Sequence, residues 1–355
     1  MVYQSNSTSI FDRLAFRGTA MCLAGGWSAP SVSATHVSIP LPGGNKDFTS
    51  LVPFYSNQSA IRADHAQWPE LCAIFRRLGL PVVGSIADFE KLPAAAIPIR
   101  IGRRFAQERL DPNEITTADI FEFLCRAAVT SGTAAAQAKV PTLPLEIDRP
   151  QRLRSLVSLL RDLSGSDIPI GAAVGLSVCR EDIVALIDSG VDFLTLESTN
   201  DHGIGESDYS YWFVSQLSRI RTMCVALDQP RFPLVVECPF SSADWVIKTL
   251  ALGASIVCID GIVNAIQAEL RRHQPAVHGK GLLAGIADAY AAPTKSFIES
   301  VHDALNNLIN QLHLQMSLAG CQSLPHFDVS CLASYDEQVC RLTRATLLDI
   351  GDFTS

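Results

Sequence analysis

Between Ile168 and Ile266, short apolar runs alternate with longer amphipathic ones. IPIGAAVG (168–175) is followed by the helix-like run Arg180–Ser189. VDFLTL (191–196) is followed by Trp212–Leu227, and PLVV (233–236) by Ala243–Leu252. ASIVCI (254–259) is followed by Val263–Arg272. Apolar runs of strand length, each succeeded by a run of helical period, are the mark of βαβ units around a parallel sheet. This pattern limits the chain to an α/β architecture with the sheet buried under helices.

Upstream the same alternation is weaker. Ser50–Tyr55, the run at Pro81, Ala96–Gly102 and PTLPLEI from Pro141 read as strands, which brings the count to eight. Gln67–Leu78, Thr117–Thr130 and Arg149–Leu163 read as helices, because their apolar residues recur on one face. Eight strands suit a closed (β/α)8 TIM barrel, a fold that commonly takes about 250 residues and often more. The expected division is an N-terminal arm over 1–60, the barrel over 61–275 and a C-terminal helical extension over 276–355. In the extension, Ser296–Leu318 and Ser334–Leu348 read as two long helices.

The balance of residues narrows the function classes. Hydrophobic residues make up 48% and charged residues 18% of the 355, enough to build a large core. The net charge is −8 with no basic block, so neither nucleic acid nor an anionic membrane surface is expected as a partner. The longest smooth apolar run, Thr249–Ile259, is too short to span a bilayer. The run after Arg17 is short and broken by glycines, and it reads as part of the arm rather than as a signal peptide. None of the ten cysteines forms a Cys-x-x-Cys pair, and several sit inside apolar runs. Buried free thiols in a reducing, cytoplasmic compartment follow from that usage.

Active sites of such barrels gather at the C-terminal ends of the strands. The residues ending three successive strands there are Glu197, Glu237 and Asp260, with Arg100 near the end of an earlier one. Three carboxylates aimed into one mouth suit a cationic group, a divalent cation, or a general acid–base pair. They can equally be strand-end residues in ion pairs with Arg100 or Lys248. The polar loop Ser198–Ser210 carries His202, the only histidine of the central stretch and a candidate catalytic base. It can also be a solvent-facing residue of a surface loop. Cys238 follows Glu237 with no obvious base beside it, so a neutral thiol is the simpler reading.

Several of these blocks resemble the FMN-binding barrel of the glutamate synthase family, within the wider group of FMN-dependent α-hydroxy-acid-oxidising barrels. The likeness lies in PIG (169–171), SGVDFLTLE (189–197), HGIG (202–205), KTLALGASIVCIDGIVNAI (248–266) and LQMSLAGCQSL (314–324). It covers roughly residues 140–330. It implies a flavin-mediated reduction of a 2-oxo or imino acid to an amino acid, as in glutamate biosynthesis, with a small-molecule substrate. Gly203 and Gly205 would lie near the flavin or the substrate loop, and Ser241, Ser242 and Gly261 around the phosphate. His202, Glu197, Glu237 and Asp260 would be left for catalysis.

The chain departs from that family at defined places. Ala172 or Ala173 stands where the family has a lysine. Glu237-Cys238-Pro239 replaces a Gly-Gly turn that cradles the phosphate. No cysteine occurs between Cys258 and Cys321, so the three-cysteine segment of an iron–sulfur cluster is absent. Two other functions are therefore kept. One is a barrel that has lost FMN and serves as a partner subunit or ligand-binding module. The other is a metal-dependent enzyme that uses the acidic mouth.

Overall fold

The computed structural model describes residues 9–17, 36–40, 47–50, 52–57, 67–84, 89–105, 118–125, 150–164, 168–176, 178–197, 206–237, 240–273 and 296–348. Its centre is a closed barrel of eight parallel strands: β4 (Phe54–Asn57), β5 (Pro81–Val83), β6 (Ile99–Phe105), β7 (Ile120–Leu124), β8 (Ile170–Gly175), β9 (Phe193–Glu197), β10 (Leu234–Glu237) and β11 (Ile256–Cys258). The strands follow one another around the barrel in sequence order, and β11 closes onto β4 through Val257↔Phe54 and Cys258↔Tyr55. This is the (β/α)8 architecture expected from the alternation. The barrel takes in residues 54–57, which the sequence reading assigns to the end of the arm.

One strand differs from expectation. Thr117–Thr130 reads as a helix from its apolar spacing, yet Ile120–Leu124 is barrel strand β7 with all five residues buried. In a run this short, residues buried on both faces imitate a helical stripe. Ile120 and Glu122 face the barrel interior, while Phe121 and Phe123 form an edge-to-face pair, centroids 5.2 Å apart. The strand expected from Pro141 lies outside the described residues, so β7 takes its place in the count of eight.

The helical layer holds α1 (Trp68–Arg77), α2 (Pro150–Ser164), α3 (Arg180–Asp188), α4 (Glu206–Ala226), α5 (Ala243–Ala251) and α6 (Asp260–His273). Each turns apolar residues toward the sheet, such as Ile183 and Leu186 of α3 or Val246, Ile247 and Leu250 of α5. The long helix α7 (Phe297–Leu318) buries Phe297, Val301, Leu305, Leu308, Leu312 and Met316 along one face and lies across α6, α1 and α5. A capping box opens it: Glu299 N–H donates to Ser296 Oγ at 3.2 Å, and Ser296 N–H to Glu299 Oε2 at 2.9 Å.

The second expected long helix, Ser334–Leu348, is instead strand β12 (Leu332–Ser334), short helix α8 (Glu337–Thr343) and strand β13 (Thr346–Leu347). Asp336 caps α8 by accepting from Gln338 N–H and Val339 N–H, and Arg344 ends it at φ 65°. Strand β1 (Ala15–Phe16) pairs antiparallel with β12, which pairs in parallel with β13. Strands β2 (Val37–Pro40) and β3 (Asp47–Ser50) form a separate antiparallel ribbon.

Residues 9–14 are built into the core. Ile10 and Phe11 are fully buried, and the Phe11 ring stacks on Trp245 and meets Phe240 edge-on. Buried Lys248 donates to the Phe11 carbonyl at 2.8 Å and pairs with Asp244 at 2.6 Å. These contacts fix the segment against the start of α5, on the side where strand β10 ends. Among the described residues no helix is long and apolar enough to cross a membrane.

Candidate functional site

The C-terminal ends of the strands carry a buried, charged floor. The registers Glu197↔Glu237 on β9 and β10 and Arg103↔Glu122 on β6 and β7 set charged side chains near this end, with Glu122, in register with Gly171, lying deeper than Glu197, in register with Gly175. Because strand side chains alternate between faces, residues two apart share the interior. Tyr55 and Asn57, Ile101 and Arg103, Ile120 and Glu122, and Phe193, Thr195 and Glu197 are such sets.

Arg103 is the hub. Its Nε pairs closely with Glu122 Oε2, and its Nη1 lies 3.4 Å from Glu237 Oε1 and 3.7 Å from Glu197 Oε1. The Arg103 side chain is only 10% exposed. Burial alone would weaken its charge, but Glu122 and Glu237 outweigh it and hold the guanidinium firmly protonated. Thr195 Oγ1 donates a short hydrogen bond to Glu122 Oε1, and Asn57 Nδ2 donates to Glu237 Oε1 at 2.5 Å.

Asp260 completes the floor from the start of α6. It accepts from Ser56 Oγ at 2.8 Å and from Asn57 N–H at 2.9 and 3.2 Å. Burial pushes its carboxyl up to about 7, against the pull of the hydrogen bonds from Cys258, Ser56 and Asn57; Glu237 adds a smaller push upward. Asp260 therefore exchanges a proton near neutral pH. Burial also raises the Tyr55 hydroxyl, with Glu237 adding to it, so the phenol keeps its proton.

Glu197, Glu237 and Asp260 thus share one end of the barrel, with Glu122 beneath them. Arg100, the cation expected near them, does not reach the group. It lies near the start of β6 and pairs with Asp119, Nε to Oδ2 at 3.1 Å. Reading the strand as ending at Gly102 placed Arg103 outside it, and reading β7 as helix hid Glu122. Lys248 is engaged by Asp244 and Phe11 and likewise plays no part at the mouth. Among the described residues no three His, Cys, Asp or Glu side chains are grouped to hold a metal ion. His202, Gly203, Gly205 and Cys238 lie outside the described residues.

Beneath the floor the barrel is filled. The Phe193 ring occupies the space that a side chain on Gly171 would need. A void of about 20 Å³ remains among Tyr55, Arg103, Glu122, Thr195 and their neighbours, far too small for an organic ligand. The barrel interior at and below the level of Arg103 therefore has no room for an organic ligand. Ser241 and Ser242 stand at the rim, where Phe240, buried among Phe11, Phe213 and Trp245, pins the chain just before α5. Ser242 is the N-cap residue of α5 and makes no capping hydrogen bond with its side chain. Gly261 is the second residue of α6. Since β10 and β11 are neighbours, the starts of α5 and α6 emerge from adjacent strands.

Comparison with solved structures places this architecture. A flavocytochrome b2 double variant with sulfite bound matches with a TM-score of 0.56 at 13% identity, over 98% of this chain and 83% of that one. A mandelate oxidase variant with a monooxide FMN adduct matches with a TM-score of 0.52 at 15% identity, over 90% of this chain and 88% of that one. The chain shares their fold. No protein-family model matches the sequence, and comparison with curated proteins finds no match.

Proposed function

We propose that the chain is an FMN-dependent oxidoreductase whose flavin lies across the mouth of the barrel, its phosphate at the starts of α5 and α6. The observation that carries this reading is the pair of helix starts on adjacent strands β10 and β11. Phosphate sites of such barrels are built after the last two strands, where backbone N–H groups and the helix dipole favour an anion. The donor chemistry fits. Ser241 and Ser242 offer hydroxyls, α5 begins without a side-chain cap, and Gly261 lets a phosphate approach the backbone of α6 closely. When bound, FMN supplies two-electron transfer.

The residues of the chain set what accompanies that transfer. Asp260 holds a proton near neutral pH and can give or take it at the edge of the floor. Arg103 holds Glu122, Glu197 and Glu237 in place through its ion pairs. Three carboxyl groups around one guanidinium, with Asp260 near Glu237, leave an acidic surface, which attracts an amine or iminium nitrogen more than the carboxylate of a hydroxy acid. That preference supports reduction of an imino acid to an amino acid, the glutamate-synthase type of chemistry. His202, Gly203 and Gly205 belong to this reading as substrate-loop residues.

A second reading has a specific observation in its favour. The inner face of β8 presents Gly171, Ala173 and Gly175, with Ala172 and Ala173 fully buried, and offers no cation where the resembling family carries a lysine. A barrel altered in this way can serve as a flavin-free ligand-binding module or partner subunit. The spectrum of the purified protein after incubation with FMN and desalting separates the two. Retained bands of oxidised flavin support the oxidoreductase. A colourless protein overturns it in favour of the flavin-free barrel.

A further inference from the structure

Away from the mouth, two thiols face each other at the end of α7. Cys321 follows the turn at Gly320, and Cys331 closes the 3-10 turn Val329–Cys331. Their sulfurs are 3.4 Å apart, and Cys321 Sγ is also 3.1 Å from the His326 carbonyl oxygen. The thiols are buried, but only beneath a surface turn in which Gln322, His326, Asp328 and Ser330 are exposed. The two residues hold different elements. Cys321 ends the α7 segment, whereas the Cys331 carbonyl accepts from Arg17 N–H at 2.8 Å next to the β1–β12 pairing.

Cys331 is also set apart chemically. The hydrogen bond from Cys321 brings its thiol down to about 7 in spite of burial. Burial instead pushes Cys72 and Cys125 up to about 12, and it raises Cys179, Cys224, Cys258 and Cys340 as well. Reactivity follows the thiolate, so one cysteine of the pair is suited to attack and the other to resolve.

We propose that Cys321 and Cys331 form a peroxide-oxidisable dithiol pair whose disulfide ties the end of α7 to the β1–β12–β13 sheet. Cys331 thiolate attacks one oxygen of a peroxide, the O–O bond breaks, and hydroxide leaves and is protonated to water. Cys331 becomes a sulfenic acid. Cys321 sulfur then attacks the Cys331 sulfur, its S–H proton leaves with the sulfenic hydroxyl as a second water, and the S–S bond forms. Two thiols are oxidised by two electrons and one peroxide is reduced. The sulfurs need only close from 3.4 Å to bonding distance.

The test is peroxide treatment of the full-length protein, followed by alkylation and peptide mapping. The expected result is loss of two free thiols and a linked species containing Cys321 and Cys331, lighter by about 2 Da and restored by dithiothreitol. Cys321→Ser should abolish the link and leave Cys331 as a sulfenic acid that a dione probe traps. The proposal is overturned if both thiols still alkylate once exposed Cys179 is oxidised, or if Cys331 links to a different cysteine.

Discussion

At the residue scale the molecule turns on Arg103. One guanidinium serves Glu122, Glu197 and Glu237 within a barrel floor that water barely reaches. Removing one partner of a buried charge network leaves the others uncompensated, at a cost of about 3–5 kcal/mol. Arg103→Met should lower the unfolding free energy by about that much in denaturant titrations; a change within 0.5 kcal/mol, the ordinary range of surface substitutions, would mean the carboxylates do not depend on it. Asp260 makes a prediction with a sign. Its folded value of about 7 lies above its ordinary 3.8, so the folded state holds the proton longer than the unfolded one. The stability it contributes is whole below about 3.8, falls as pH rises through the window up to 7, and is gone above it. Asp260→Asn cannot titrate. Between pH 5 and 8 the wild type should lose about 2–3 kcal/mol more than this variant does. Equal losses in the two proteins would show that Asp260 is not held protonated.

At the scale of elements, legibility followed the clarity of the period. From Ile168 to His273 most strands and helices are separated by glycine or proline, and the ends of the elements could be read to within about three residues, except that α4 starts at Glu206, six residues before the expected Trp212. Glu197 and Glu237 were visible for the same reason, as the first charges after an apolar run. Ile120–Leu124 was not, because five buried residues carry no alternation to distinguish strand from helix. Glu122, set between two phenylalanines, was the one signal that the run has an inner polar face. Asn57 was missed as well, since its bond to Glu237 joins residues far apart in the chain. Strand β8 offers a test of packing. A methyl group on Gly171 would enter the space of the Phe193 ring. Gly171→Ala should therefore cost about 1–3 kcal/mol, and adding Phe193→Leu should recover part of it. A neutral Gly171→Ala in thermal melts would contradict the packing of the barrel interior.

At the scale of the whole molecule, the barrel brings three kinds of group to one end. A charged floor joins carboxylates of β7, β9, β10 and α6 to the guanidinium of β6, a proton exchanges near neutrality on Asp260, and two helix starts stand side by side at the rim. The chain's two described ends pair with each other and pack on the helices outside the barrel. Phe11 is locked beside α5 by Lys248, and β1 joins β12. Composition gave only an expectation against nucleic acid as a partner, and it could not reveal that the acidic residues share one mouth, because that proximity exists only after the barrel closes. The account stands on an anion being held at the starts of α5 and α6. Flavin fluorescence titrations with FMN and with riboflavin, which lacks the phosphate, measure this directly. The account predicts that FMN binds at least about tenfold more tightly than riboflavin, a difference of about 1.4 kcal/mol. Equal affinity for the two, or no binding of FMN, would contradict it.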